Sequence, residues 1–189
     1  KPLLDIGIDG WWPDQGDGLD ASSRLARNIM YYEGSLMYRP NERPFALHRN
    51  GYAGMARRAA FLWSGDVYST WETLRTHVPV AVNTGLTGIP YWGTDTGGFV
   101  PTKELTGELY VRWFQFSAFC PLFRSHGRTW KLRLPWGWNT GELGPDDVRV
   151  RQFLGGFVRA HRSVTSVPIG DRKRAMPERL RRFDHLLGS

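Results

Sequence analysis

The chain has 189 residues, of which 41% are hydrophobic and 23% charged. These values are ordinary for a globular protein and exclude a wholly disordered chain, a collagen-like fibre and a coiled coil. The net charge of +7 lies entirely in residues 149–189, which hold 10 Lys and Arg against 3 Asp and Glu. The neutral remainder argues against nucleic acid as a partner, since a binding domain carries its positive charge on the folded face.

The sequence shows no membrane span, no signal peptide and no cysteine framework. No apolar run approaches the roughly 18 residues of a membrane span, so we expect no membrane partner. No charged-then-apolar leader follows Lys1, so we expect no signal peptide, and the cellular location stays open. Cys120 is the single cysteine, which excludes an intrachain disulfide framework and a cysteine-based zinc site.

Residues 1–148 repeat one unit, in which a short apolar run ends at a polar residue and a helical segment follows. The four runs and the polar residues that follow them are Ile6–Trp12 with Asp14, Pro44–His48 with Arg49, Ala59–Trp63 with Asp66, and Ile89–Trp92 with Asp95. Runs that are apolar without alternation are typical of strands covered on both faces. We therefore predict four strands in this region.

Helical spacing of apolar residues follows three of these runs. Asp20 is placed to cap a helix with Leu25, Ile29, Tyr32 and Leu36 near one face. Ser69 and Glu72 have the spacing of a capping box and predict a helix that carries Trp71, Leu74 and Val78. The segment Leu105–Cys120 predicts a longer helix with Leu109, Trp113, Phe116 and Cys120 at core spacing.

Strands that alternate with helices predict an α/β fold with a parallel sheet. Parallel sheets place their chemistry at the carboxyl ends of the strands. Those ends carry Asp14, Arg49, Asp66 and Asp95 in this sequence. We therefore expect these four side chains to gather at one edge of the sheet.

Each of the three aspartates follows a tryptophan by two or three residues. The pairs are Trp12 with Asp14, Trp63 with Asp66 and Trp92 with Asp95. Indole surfaces beside carboxylates suit sugars, which present apolar ring faces and polar edges. Glycoside hydrolysis needs two carboxyl groups in different environments. Each aspartate alone is more simply a helix cap, and each tryptophan alone is more simply core filler. Three such strand ends in one series favour the glycosidase interpretation.

The remaining polar residues indicate no cofactor and no metal. The five histidines, including His126 after the long apolar segment, have no metal-ligand spacing. There is no phosphate-binding loop, no complete dinucleotide fingerprint and no nucleophile-elbow serine. Arg49 is suited to holding a sugar hydroxyl or a carboxylate, although a surface arginine after a strand is an equally good interpretation.

The sequence resembles glycoside hydrolase family 31, the α-glucosidase and α-xylosidase family. The resemblance covers residues 5–147 and rests on five blocks in the same order as in the family. These blocks are Asp9–Asp14 (DGWWPD), Arg43–Gly54 (RPFALHRNGYAG), Leu62–Asp66 (LWSGD), Gly93–Phe99 (GTDTGGF), and Arg112–Gln115 (RWFQ) leading to Pro121–Gly127 (PLFRSHG).

The resemblance implies a partial (β/α)8 barrel in residues 1–148, comprising roughly its fourth to seventh strands, and a basic tail of uncertain structure in residues 149–189. It implies a retaining α-glycoside hydrolase, or a fragment of one, that acts without a cofactor. Asp14 would be the nucleophile and Asp66 the general acid and base. Arg49, Asp95 and His126 would bind sugar hydroxyls, and Trp12, Trp63 and Phe99 would wall the pocket.

Two alternatives stay open. The chain could be a non-catalytic or degenerate carbohydrate-binding remnant of such an enzyme, or an interaction protein that uses the basic tail. One difference from the family concerns the third residue after the nucleophile, which is Asp17 here and is often glutamate in the family. The sugar and its linkage are not predicted, and self-association is one way in which a partial barrel could cover its strand edges.

Overall fold

A computed structural model describes residues 2–128 together with residues 133 and 134. Within this part of the chain, four strands form one sheet in the order β1-β2-β3-β4, and every neighbouring pair is parallel. The strands are Ala46–His48 (β1), Ala60–Trp63 (β2), Trp92–Asp95 (β3) and Leu122–Arg124 (β4). The helices are Pro2–Asp5 (α1), Ala21–Tyr38 (α2), Trp71–Leu86 (α3) and Gly107–Ser117 (α4), with a 3₁₀ turn at Met55–Arg58.

The sequential order of parallel strands, with helices between them, is that of a barrel slice and confirms the predicted α/β class. The predicted tail, residues 149–189, lies outside the described residues. None of the helices in the described ranges is both long and apolar enough to cross a bilayer.

The first predicted strand, Ile6–Trp12, is wrong in its extent. Only Trp11 pairs with the sheet: its N–H bonds to the Phe45 carbonyl at 3.0 Å, and its carbonyl accepts from the Leu47 N–H at 2.9 Å. The preceding residues instead form the short helix α1 and a turn at Gly7, whose φ is +96°. A left-handed glycine ends regular strand geometry, and apolar composition alone does not reveal it.

Asp20 caps α2 as predicted, because its carboxylate accepts from the Ser23 N–H at 3.0 Å. The predicted cap of α3 is wrong by one residue. Thr70 caps this helix, accepting from the Thr73 N–H at 3.1 Å. Ser69 is instead fully buried, and its N–H bonds to the Val100 carbonyl at 2.9 Å, so tertiary pairing outweighs the capping box.

The buried face of α3 also differs from the prediction. Leu74 and His77 are buried, whereas Trp71 and Val78 are 43% and 49% exposed. Leu74 packs with Leu109 and Trp113 of α4, both of which are completely buried as predicted. This cluster fixes α3 and α4 against one another on the outside of the sheet.

Strand β4 was not predicted, because the apolar stretch before it reads as a continuing helix. Leu122 of β4 joins Leu47 and Trp63 in a cluster that crosses the sheet. Gly93 of β3 is the position that permits this pairing, since an added Cβ would overlap the Leu122 backbone. The close approach of β3 and β4 brings Asp95 opposite Arg124.

His48, at the end of β1, predicts a measurable acid sensitivity. Burial, with a smaller contribution from the charge of Arg27, lowers the pKa of His48 to about 4. The unfolded chain takes up this proton near pH 6.5 and the folded chain only near 4, so stability is lost as pH falls through this window. The loss attributable to His48 should reach up to roughly 3 kcal/mol.

Chemical denaturation of wild type and H48Q between pH 7 and pH 4 tests this expectation. The stability gap between the two should shift towards H48Q as the pH falls. Asp95 titrates in both proteins, so its opposite effect cancels in the comparison. Two parallel pH curves would show that His48 does not titrate as its burial requires.

Candidate active site

The carboxyl ends of the parallel strands meet at one edge of the sheet, as expected. Arg49 follows β1, Asp66 follows β2, and Asp95 and Arg124 are the last residues of β3 and β4. Asp14 follows Trp11, which pairs with β1. The strand register therefore brings residues from five separate segments to a single cleft.

Arg49 is the electrostatic centre of this cleft. Its Nη1 lies 3.3 Å from Asp14 Oδ1 and 3.0 Å from Asp66 Oδ1, and its Nε lies 2.8 Å from Asp17 Oδ2. Because Asp14 Oδ1 and Asp66 Oδ1 both lie within 3.3 Å of the same nitrogen, these two oxygens are separated by less than twice that distance. Retaining glycosidases place their two carboxyl groups about 5–5.5 Å apart, which this arrangement allows.

Partial burial of Arg49 would lower its pKa, but the hydrogen bonds and charges of Asp17 and Asp66 outweigh burial and raise the pKa, so the guanidinium stays positively charged. In the same way, partial burial of Asp17 is outweighed by hydrogen bonds from Arg49 and Asn50, which lower the pKa of Asp17. One guanidinium therefore offsets the repulsion among three neighbouring carboxylates.

Arg27 of α2 holds the loop that carries Asp14. Arg27 donates to the Asp14 carbonyl and to the Gln15 carbonyl, both at 2.8 Å. Gln15 has a φ of 62°, an uncommon value for a residue other than glycine, and its N–H donates to Asp14 Oδ1 at 2.8 Å. This tight turn aims the Asp14 carboxylate at Arg49.

Asp95 is completely buried at the floor of the cleft. Its Oδ1 accepts from Arg124 Nε at 2.8 Å. Burial raises the pKa of Asp95 to about 6, and the charge and hydrogen bond of Arg124 oppose that rise. Oδ2 of Asp95 is buried and has no hydrogen-bond partner among the described residues, so part of its hydrogen-bonding capacity is unused there.

Aromatic rings form the walls of the cleft. The Trp12 ring lies 5.8 Å from Trp63 and 4.9 Å from His126, both edge to face, and His126 stacks on Phe99 at 5.3 Å. Burial, followed by the charge of Arg124, lowers the pKa of His126, so the ring is neutral near pH 7. The structure thus brings together all eight site residues predicted from the sequence.

Two charged residues of this region were not predicted. Arg124 lies between Asp95 and the two tryptophans, and Arg133 is buried with its Nε donating to the Gly98 carbonyl at 2.8 Å. Arg124 could have been found as the last residue of a strand, had β4 been recognised. Within residues 2–128, 133 and 134, no group of three or more His, Cys, Asp or Glu is placed to hold a metal ion.

Comparison with known proteins gives this geometry a context. The profile of the glycosyl hydrolases family 31 TIM-barrel domain matches residues 1–154. The chain is 37% identical over 163 residues to an alpha-xylosidase of Saccharolobus solfataricus, covering 72% of this chain and 22% of that protein. It is 34% identical over 148 residues to alpha-glucosidase 2 of Bacillus thermoamyloliquefaciens, covering 65% of this chain and 18% of the relative.

Solved structures of family 31 enzymes also superpose on this chain. An α-xylosidase of family 31 from Xanthomonas citri superposes with a TM-score of 0.63 at 33% identity, over 78% of this chain and 20% of that one. A family 31 dextranase from Flavobacterium johnsoniae, complexed with glucose, gives a TM-score of 0.63 at 28% identity, over 86% and 24%. The chain therefore spans about a fifth of the length of the curated relatives it matches.

Proposed function

The chain belongs to glycoside hydrolase family 31, and we propose that it supplies both catalytic carboxylates of a retaining α-glycoside hydrolase. The observation that carries this proposal is the shared contact of Asp14 and Asp66 with Arg49 Nη1. Two carboxylates from different strand ends, held near one cation in an aromatic cleft, match the requirements of glycosyl transfer through a covalent intermediate.

In the first step, the Asp14 carboxylate attacks the anomeric carbon while Asp66 gives its proton to the departing oxygen. The bond from the anomeric carbon to the leaving group breaks as the bond to Asp14 forms. In the second step, Asp66 takes a proton from water, and the resulting hydroxide equivalent displaces Asp14 from the anomeric carbon. Two inversions leave the product with the configuration of the substrate.

The other residues of the cleft would bind the sugar. Arg49, Asp95 and His126 present charged or polar atoms suited to ring hydroxyls, while Trp12, Trp63 and Phe99 offer flat apolar surfaces to the ring faces. The relatives described above are an alpha-xylosidase and an alpha-glucosidase. We therefore propose an α-linked pyranose as the substrate.

A panel of aryl α- and β-glycosides of glucose, xylose and galactose tests this function, with the product anomer read by proton NMR. We expect turnover of at least one α-glycoside and an α-configured first product. A β-configured first product would contradict the retaining mechanism. Turnover of the β-glycosides alone would contradict the assignment of substrate.

Carbohydrate binding without turnover is the second candidate. The side chains of Asp14 and Asp66 are 36% and 42% exposed, so solvent reaches both carboxylates. Water there weakens the electrostatic contrast on which catalysis depends. Calorimetric binding of a sugar by a chain that turns over none of the glycosides would assign this role.

A further inference from the structure

Arg124 is a cation of the cleft to which neither the sequence analysis nor the proposed mechanism gives a role. Its side chain is 16% exposed, and its Nε lies 2.8 Å from Asp95 Oδ1. Its Cζ lies 4.6 Å from the Trp12 ring centroid and 5.3 Å from that of Trp63. The guanidinium thus contacts the buried carboxylate through Nε, while its Cζ lies over the rings of both wall tryptophans.

We propose that Arg124 is a positioning residue of the cleft, which orients the buried Asp95 carboxylate and fixes the indoles of Trp12 and Trp63. Trp12 precedes Asp14, and Trp63 precedes Asp66, so the guanidinium spans the two segments that carry the proposed catalytic pair. The proposal rests on the proposed function, because it takes the cleft to be an active site, but it can be tested without measuring turnover.

The edge of the guanidinium acts on Asp95. A buried carboxylate without a charged partner takes up a proton, because burial disfavours the charged form. Arg124 opposes this effect most strongly, through its charge and its hydrogen bond, while the charge of Asp66 raises and that of Arg133 lowers the pKa of Asp95 to a smaller extent. Arg124 therefore keeps Asp95 in the form that accepts hydrogen bonds on its unpartnered Oδ2.

The charge of the guanidinium also acts on the two tryptophans. A planar cation is attracted to the face of an indole, and both rings lie within the distance at which this attraction operates. Lysine cannot reproduce the arrangement, because its ammonium is a compact point charge that cannot contact Asp95 and lie over both rings at once. The Nη2 of Arg124 is buried without a hydrogen-bond partner among the described residues, which leaves stacking and the Asp95 contact as its local constraints.

The first test follows the protonation of Asp95 by infrared difference spectroscopy, a method unaffected by the association state of the chain. The carboxylic acid band of Asp95 is assigned by its loss in D95N. We expect the midpoint of this band in R124Q to move upward by about one pH unit or more. The matched control R112Q removes an exposed arginine of α4 and should leave the midpoint where it is in wild type.

An unchanged Asp95 midpoint in R124Q would overturn the proposal. If R124Q does not fold, the double variant D95N/R124Q decides, because it removes the buried charge that R124Q leaves without a partner. Cooperative unfolding restored in the double variant supports the proposal. A double variant no more stable than R124Q contradicts it.

The second test separates the extent of the guanidinium, which reaches Asp95 and both rings, from its charge. The near-ultraviolet circular dichroism spectrum of wild type minus that of W12F gives the signal of Trp12, which includes its coupling to Trp63. R124K keeps the charge, so we expect an Asp95 midpoint within one pH unit of wild type. Because the ammonium cannot contact Asp95 and both indoles at once, we also expect loss of the indole signal, which is the Trp12 contribution to the spectrum. An indole signal that survives in R124K would overturn the positioning of the tryptophans. An inactive wild-type protein would refute the proposed function and leave both tests standing.

Discussion

Asp14→Asn should lower glycoside turnover by on the order of 10⁴- to 10⁶-fold, the scale of losses when a covalent nucleophile is removed. An amide oxygen is a poor nucleophile towards the anomeric carbon, and solvent cannot form the intermediate in its place. The Arg49 contact at 3.3 Å shows that the mutated side chain lies in the cleft and not on a distant surface. Steady-state kinetics with an aryl α-glycoside measures the loss.

The matched control for this variant is Asp20→Asn. Asp20 is another exposed aspartate of the same segment, where it caps α2 through Ser23. Asparagine caps helices about as well as aspartate, so D20N should keep both fold and turnover. Turnover by D14N at more than about a tenth of the wild-type rate would rule Asp14 out as the nucleophile.

The positions of Arg49, Asp66 and Asp95 illustrate how far local sequence reasoning reaches. Apolar runs locate β1, β2 and β3 and the polar residues beyond them, because a strand covered on both faces leaves a clear local pattern. The helix cap at Asp20 is equally local, since donor and acceptor lie three residues apart. Features of this kind depend on neighbours in the chain and can be predicted from it.

The features that escaped prediction depend on distant residues. Ser69 has the pattern of a cap, but its backbone pairs with Val100, 31 positions away. Arg124 meets Asp95 across 29 positions, and Arg49 meets Asp17 across 32. Nothing in the local pattern of either arginine identifies its partner. The electrostatics of the cleft therefore follow from the strand register, which only the assembled sheet provides.

Asp17 shows why the difference from the family pattern matters physically. Its carboxylate accepts from Arg49 Nε at 2.8 Å and from Asn50 Nδ2 at 3.2 Å, so it restrains the guanidinium that also contacts Asp14 and Asp66. A glutamate at this position has one more methylene and would place its carboxylate differently relative to Arg49. The residue at position 17 is thus coupled to the proposed catalytic pair through one shared cation.

Asp66→Ala should lower kcat/KM by about 10²- to 10⁴-fold for substrates with poor leaving groups, the usual contribution of a general acid. Aryl α-glycosides with acidic phenols should lose far less in the first step, because their leaving groups need little protonation. The dependence of log kcat/KM on the pKa of the phenol should therefore become steeper in D66A than in wild type. D9A is the matched control, since it removes a carboxylate that is 91% exposed and paired with Arg39, outside the cleft.

The anomer of the product formed with azide distinguishes the role of Asp14 from that of Asp66 most clearly. In D66A no base activates water in the second step, so the glycosyl-Asp14 intermediate should accumulate with an activated substrate. Azide needs no deprotonation and can enter the space left by the Asp66 side chain, which in wild type lies 3.0 Å from Arg49 Nη1. It should raise turnover and yield an α-glycosyl azide, because it displaces Asp14 from the face opposite that carboxylate. A β-glycosyl azide formed by D66A would mean that azide attacked the substrate directly in place of a nucleophile, and the roles assigned to Asp14 and Asp66 would then have to be exchanged.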